Sequence, residues 1–479
     1  MSVPQVDPTK PGVSERAARV EGFSRPYVIS WNLTYRCNLA CEHCYLDAGG
    51  TPLVGTTNFA DRSELGTEQC YEVIDQIAAF APECVTILTG GEPLLRRDII
   101  EIVRRAAERG LWVVVGTNGV RITENVAQRL ADAGARGLSL SLDALDPERH
   151  DRFRMVRGAW QNTVDGAGIL NRTGLPFIVQ TTAGSHNLGE LEAIADFAHE
   201  RLAAKVWNLY FLVPTGRGQF VSDITPAQYD EVLASLYRIQ RTYSGRMLVN
   251  AKCAPHYIKT VLENGDPSAQ PLGGFAQGGL AQIRVYSGGA GGCPAGTHYM
   301  GIRPNGDITP CPYLPVFAGN LRKTDLADVW TSSELFTAIR RRTALGGRCG
   351  DCEMNAHCGG CRARAYGMTG DLMAEDPLCT HTPGKFAGSP LLGLQGSGMT
   401  PLALGTRTIQ YGADSPPTIA WDDAANQRMN KIPAFVRGMV VRAVEESCRK
   451  NGLDRVTVEE LERIRARMPT PKIFGKGAP

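Results

Sequence analysis

The chain reads as an α/β protein, a partial (β/α)6 barrel followed by a cysteine-rich extension and a small C-terminal α domain. Three observations carry that reading. From Tyr27 to about Leu212, β-type apolar runs alternate with helical periodicity, which implies parallel βαβ units. Cysteines then recur in close groups between Cys293 and Cys379. Helical periodicity returns from Trp421 to Met468.

The strand candidates are Tyr27–Leu33, Val85–Thr89, Leu111–Gly116, Gly137–Leu142, Phe177–Thr182 and Val206–Leu212. Between them Thr67–Phe80, Ile99–Arg109, Glu124–Ala133, Gln161–Arg172 and Leu188–Arg201 carry apolar residues at helical spacing. Thr225–Arg241 is a further helix with Pro226 in its first turn. In barrels of this kind chemistry sits where loops leave the C-terminal strand ends. The expected divisions are a loose tail 1–22, the barrel 23–245, the cysteine-rich unit 246–385, a linker 386–420 and the helical unit 421–479. Asn264 to Gly292 is dense in glycine and has no period, as in a linker or a substrate-facing loop.

Composition limits the partners. A formal net charge of +2 over 479 residues gives no electrostatic case for nucleic acid or an anionic membrane surface. No apolar run approaches a membrane span, and residues 1–22 lack the apolar core of a signal peptide. Most of the fourteen cysteines sit in metal-type clusters rather than a disulfide framework, so a reduced, cytoplasmic, iron-bearing protein is expected.

The first strand runs into Cys37, Cys41 and Cys44, spaced C-x3-C-x2-C. A loop this tight can gather three thiolates on one face of a metal cluster. Three ligands suit a 4Fe–4S cluster with one open iron, because a closed cubane normally takes four cysteines. Structural zinc is the alternative, but it wants a fourth ligand, and His43 is wedged between Glu42 and Cys44. After the second strand, Gly90-Gly91-Glu92-Pro93 allows a backbone to approach a ligand closely.

The cysteine triplet together with Gly90–Pro93 resembles the radical S-adenosylmethionine (SAM) enzymes. The resemblance implies that the open iron chelates the amino and carboxylate groups of SAM, which is then cleaved to a 5′-deoxyadenosyl radical. It also implies that Gly90, Gly91, Glu92 and Pro93 hold the SAM amino group. Asn118, Ser141 and Asp143, at the ends of the third and fourth strands, join them as candidate SAM contacts. Ordinary turn and cap roles remain open for these polar residues. Arg152, Arg154 and Arg157 read as a surface charge run, one of which could meet a carboxylate.

The later cysteines follow Cys293 … Cys311 … Cys349-x2-Cys352-x5-Cys358-x2-Cys361 … Cys379. This set resembles the SPASM extension of radical SAM enzymes, which carries auxiliary iron–sulfur clusters. By that resemblance Cys349, Cys352, Cys358 and Cys379 ligate one 4Fe–4S cluster, and Cys293, Cys311 and Cys361 hold a second. Its fourth position falls to Cys253, His298 or an open iron. Zinc ribbons are the alternative that the C-x2-C spacing permits. Cys70, Cys84 and Cys448 read as ordinary buried thiols, while His43 and His357 shape loops.

Arg348–Cys352, Cys358–Tyr366 and Pro214-Thr215-Gly216-Arg217-Gly218 are similar to the haem-biosynthetic SPASM branch. The resemblance implies a tetrapyrrole substrate whose side chain is decarboxylated or removed, with a flavodoxin or ferredoxin as electron donor. Arg217, expected exposed, and Arg362 and Arg364 are then candidates for its carboxylates. Ile432–Arg437 and Val456–Glu459 resemble the small C-terminal domain of light-independent protochlorophyllide reductase. A maturase of ribosomally made peptides is the second enzyme reading. A non-enzymatic electron carrier or zinc scaffold is the third, and it leaves Gly90–Pro93 unexplained.

Overall fold

A computed structural model of the chain describes residues 25–49, 63–221, 224–243, 246–264, 292–356, 358–389, 419–430, 441, 444–445 and 447–467. The expected tail, nearly all of the glycine-dense segment, His357, Pro433 and most of the linker lie outside these residues. No helix among the described residues is long and apolar enough to cross a membrane.

The barrel is built as β1 (Val28–Asn32), α1 (Thr67–Phe80), β2 (Val85–Thr89), α2 (Ile99–Glu108), β3 (Trp112–Gly116), α3 (Glu124–Asp132) and β4 (Gly137–Ser141). It continues through α4 (Pro147–Arg154), α5 (Ala159–Thr173), β5 (Phe177–Ala183), α6 (Leu191–Asp196), β6 (Val206–Phe211), α7 (Pro226–Thr242), β7 (Leu248–Lys252) and α8 (Tyr257–Glu263). Neighbouring strands from β1 to β7 pair in parallel and in sequence order. The six expected strands are present, and β7 extends them. Its short run Leu-Val-Asn-Ala-Lys carries too little apolar signal to stand out among helices.

On the far side of β1 the cysteine-rich unit adds β8 (Tyr299–Ile302), parallel to β1, then β9 (Asp307–Thr309) and β10 (Gly319–Asn320), both antiparallel. Among the described residues the sheet therefore runs β10-β9-β8-β1 through to β7 and ends without closing on itself. An unclosed barrel leaves a side open for something larger than a side chain.

Local chemistry places the elements. Thr225 and Gln228 form a capping box for α7 with Pro226 at its first position. Thr123 caps α3 through Val126 N, and Asp146 caps α4 through Arg149 N. The buried residues Ile99, Ile102, Val103 and Ala106 lie along one face of α2, the stripe that packs on the sheet. Helix α4, unforeseen because Pro-Glu-Arg-His-Asp-Arg-Phe-Arg is almost wholly polar, is held by its cap and by a left-handed turn at Met155.

At the C-terminus Asp423–Asn430 and Val458–Arg467 are helical, and Thr457 caps the second through Glu460 N at 3.3 Å. Two short parallel strands, Ala420–Trp421 and Arg455–Val456, add to the expected helices. Ala425, Val444, Cys448 and Val456 form the small core there.

Candidate active site

The strands of a parallel sheet are usually apolar on both faces. Here the alternation is split. Outward-facing Leu138, Leu140, Trp207, Leu209 and Val249 pack in the core beneath the helices. The opposite face carries Ser139 and Ser141 on β4, Gln180 and Thr182 on β5, Asn208 and Tyr210 on β6, and Asn250 and Lys252 on β7. The register aligns Gln180, Asn208 and Asn250 in one row and Thr182, Tyr210 and Lys252 in the next. Asn250 Nδ2 donates to Asn208 Oδ1 at 2.8 Å. Thr182 and Asn208, without direction in the sequence, thus belong to a polar inner wall. The signal that locates this wall is the period-2 polarity across β4–β7. Burial pushes the Lys252 ammonium down to about 8.

The Cys37–Cys44 loop crosses the C-terminal end of this wall. The backbone of Gly90–Glu92 runs beside it, with Gly91 N donating to Thr34 O at 2.7 Å and Glu92 N to Arg36 O at 2.8 Å. A Cβ at Gly91 would stand 2.2 Å from Arg36 O, and Gly90 has φ +142. Both glycines are required by this approach. Glu92 is fully buried and accepts from Leu94 N, Thr117 Oγ1 and Asn118 N at 2.9–3.0 Å. Burial drives its carboxyl up to about 7, against those three donors. It is a strut between the β2 and β3 loops. Pro93 is buried at the start of a short turn.

Asn118 reaches the cysteine loop, donating to Asn38 Oδ1 at 2.9 Å and lying 3.9 Å from Cys37 Sγ. Asp143 is fully buried against Arg154, which donates through Nε at 2.6 Å and Nη2 at 2.5 Å. Burial opposes its charge, yet Arg154 prevails and holds the carboxyl down to about 2. Arg154 Nη1 in turn lies 3.6 Å from Cys41 Sγ. The carboxylate that Arg154 meets is therefore Asp143, and Arg154 is no surface charge. Ser141 ends β4 half-buried on the inner wall.

The donor chemistry at this loop fits a cluster held by thiolates. Leu39 N donates to Cys37 Sγ at 3.4 Å, Ala48 N to Cys44 Sγ at 3.3 Å, and Arg154 supplies positive charge to Cys41. Burial, with smaller contributions from the neighbouring Cys41 and Cys44 and against the Leu39 N–H, raises the free Cys37 thiol to about 12. Filling the site therefore releases protons. His43 stacks on Phe153 with centroids 4.3 Å apart, shaping the loop as expected.

Arg217 differs from expectation. Its Nε donates to Cys41 O at 2.8 Å and its Nη1 to Asp47 at 2.8 Å, leaving the side chain 13% exposed. The loop after β6 thus clamps the cysteine loop instead of presenting an open cation. Arg362 and Arg364 are also buried, the first on the carbonyls of Leu372 and Ala374, the second on Asp376, Leu212 O and Cys253 O. Most of their donors are engaged inside the protein, with Arg217 Nη2 and Arg364 Nε buried and unpartnered, and all three arginines hold loops.

The later cysteines separate into two sets. Cys349, Cys352, Cys358 and Cys379 line one cavity with His256 and His381. Amide donors face two of the sulfurs, Met354 N on Cys352 and Gly360 N on Cys358, each at 3.4 Å. Cys361 turns away from that cavity and packs with Cys293, Cys311 and Cys253. The reason lies in Gly359 and Gly360, with φ +64 and +61, because two successive left-handed residues send the flanking cysteines to opposite sides. Asp376 stands between the sets, accepting from Cys361 N at 2.7 Å and Arg364 at 3.0 Å, with His256 Nε2 at 3.2 Å. The four thiols of the first set, with their N–H···S donors, fit an iron–sulfur cluster, and the second set gathers thiols of the same kind.

A three-thiol loop at the mouth of an open parallel barrel is the arrangement of enzymes that cleave SAM reductively. Residues 31–198 match the radical SAM superfamily, residues 293–361 an iron-sulfur cluster-binding domain, and residues 421–465 the proto-chlorophyllide reductase 57 kD subunit. The AdoMet-dependent heme synthase of Methanosarcina barkeri is 36% identical over 75% of this chain and 98% of its own length. The pre-heme d1 synthase of Dinoroseobacter shibae is 31% identical over 78% of this chain and 89% of its own. Streptococcus suis SuiB, solved with its precursor peptide SuiA, shares the fold at a TM-score of 0.59 and 20% identity, over 76% of this chain and 77% of that one. The chain belongs to the radical SAM superfamily, in the branch that holds the AdoMet-dependent heme synthases. Its cofactors are SAM, a SAM-binding 4Fe–4S cluster and one or two auxiliary 4Fe–4S clusters.

Proposed function

We propose that this enzyme modifies a carboxylate-bearing side chain of a tetrapyrrole, by decarboxylation or side-chain removal. The observation that carries the reading is the M. barkeri heme synthase, 36% identical over 360 residues and matched over 98% of its own length. Cys37, Cys41 and Cys44 hold the SAM-binding cluster, and Cys349, Cys352, Cys358 and Cys379 one auxiliary cluster. When bound, the first cluster and SAM supply a 5′-deoxyadenosyl radical.

The chain's own part is positioning. Gly90 and Gly91 bring backbone to the cluster loop, Glu92 fixes their distance from Asn118, and Arg154 balances the Cys41 thiolate. Ser141 and Asn118 offer side-chain contacts to SAM. The polar wall of β4–β7 receives the substrate, with Lys252 on its last strand as a buried cation and Tyr210 and Tyr313 as the flat apolar surfaces. Ring centroids of Tyr313 lie 4.7 Å from Tyr45 and 6.3 Å from Tyr210. A flavodoxin or ferredoxin supplies the electron, and the enzyme works in the cytoplasm.

The test is single-turnover chemistry under anaerobic conditions with SAM, reductant and an iron porphyrin bearing propionates. Release of 5′-deoxyadenosine and of carbon dioxide or a carboxylic fragment, with the matching mass loss in the porphyrin, is expected. Turnover on a small precursor peptide with an unaltered porphyrin would instead favour a peptide maturase.

A further inference from the structure

We infer that Cys253 supplies the fourth thiolate to the cluster of Cys293, Cys311 and Cys361, so that no iron of that cluster faces substrate. The inference rests on the iron–sulfur reading above. It starts from position. Cys253 follows the last residue of β7, while its three companions come from the unit that begins near Cys293. Its side chain packs against Cys293, Cys311 and Cys361 in one contiguous cluster. The thiols of Cys253 and Cys293 are both within hydrogen-bonding reach of Cys361.

The backbone is bent to achieve this. Cys253 has φ +58, in the left-handed region that is disfavoured for a non-glycine residue. Arg364 Nη2 donates to the Cys253 carbonyl at 2.9 Å and holds the turn. Arg364 is fully buried, and Arg342 Nη2 donates to the Cys293 carbonyl at 2.5 Å on the other side of the set. Arg364 also pairs with the buried Asp376 at 3.0 Å, which leaves Arg342 as the guanidinium whose charge offsets a thiolate-ligated cluster.

The competing ligand is placed elsewhere. The His298 ring stacks on Tyr27 with centroids 5.3 Å apart, and its Nδ1 lies 3.0 Å from Thr297 Oγ1. Both auxiliary sites then carry four cysteines each. Neither offers a vacant iron, and substrate must be held by the barrel wall.

The test uses the full chain with Cys37→Ala, Cys41→Ala and Cys44→Ala together, so that only auxiliary iron remains. Anaerobic reconstitution should give about eight iron atoms, four per cubane. Cyanide is the probe for an open iron, read by electron paramagnetic resonance of the dithionite-reduced protein. With Cys253 present the spectrum should not respond to cyanide. With Cys253→Ala added, one of two signals should shift on cyanide, or about four iron atoms should be lost. A cyanide response while Cys253 is intact overturns the inference. So does a Cys253→Ala protein that keeps its iron and ignores cyanide, or an iron count near four with Cys253 intact. Release of 5′-deoxyadenosine by the parent protein reports the SAM site separately, so failure of the radical SAM reading is distinguishable.

Discussion

Gly91 has room for a hydrogen and nothing larger on its α-carbon, since the Arg36 carbonyl lies where a methyl would sit. Gly91→Ala must move either the Gly-Gly turn or the cysteine loop. SAM affinity measured by equilibrium dialysis on the reconstituted protein should fall at least about tenfold, or roughly 1.4 kcal/mol. Iron held by the later cysteines should be unchanged. Arg154 gives a second test at this scale. Removing it by Arg154→Leu strands the fully buried Asp143 carboxylate, for which a loss of about 3–5 kcal/mol in anaerobic denaturant unfolding is expected. Adding Asp143→Asn should recover part of that loss, because no uncompensated charge then remains. Full recovery without any effect on Cys41-linked iron would mean that the pair serves only the fold.

At the scale of elements, the loop after β6 is a bracket for the loop after β1. Gly216 has φ +58 and a Cβ there would meet Cys44 O at 2.4 Å, while Arg217 N donates to the same carbonyl at 3.0 Å. Arg217→Ala should weaken retention of the SAM-binding cluster, with about four iron atoms lost on gel filtration and the auxiliary signals preserved. Strands, helices and the cysteine triplet were legible because each is written in a short window of chain. The bracket was not, because its two halves are 170 residues apart at Asp47 and Arg217. For the same reason Arg217, Arg362 and Arg364 read as free cations in sequence, and only folding reveals the carbonyls that occupy them. Cys253 stood alone in the sequence, 40 positions from Cys293, with nothing local to mark it as their companion. The polar inner wall was legible in principle, but its alternation spans strands too short to show a period one at a time.

For the molecule as a whole, the M. barkeri relative is matched over 98% of its length by 75% of this chain, and residues 421–465 match a different family, the proto-chlorophyllide reductase 57 kD subunit. A chain ending at residue 389 should retain its full iron content and release 5′-deoxyadenosine at the parent rate; a loss of iron would show that residues 419–467 help to hold the clusters. The sheet topology also orders events in time. One edge of β1 pairs with β2, and the other waits for β8, with Asn32 bonded to Ile302 across 270 positions. On the ribosome that second edge has no partner until the cysteine-rich unit has emerged, and a bare parallel edge recruits other chains. The nascent enzyme therefore passes through a stage with its first metal loop made and its flank uncovered. That edge is covered only when Tyr299–Ile302 docks on Val28–Trp31.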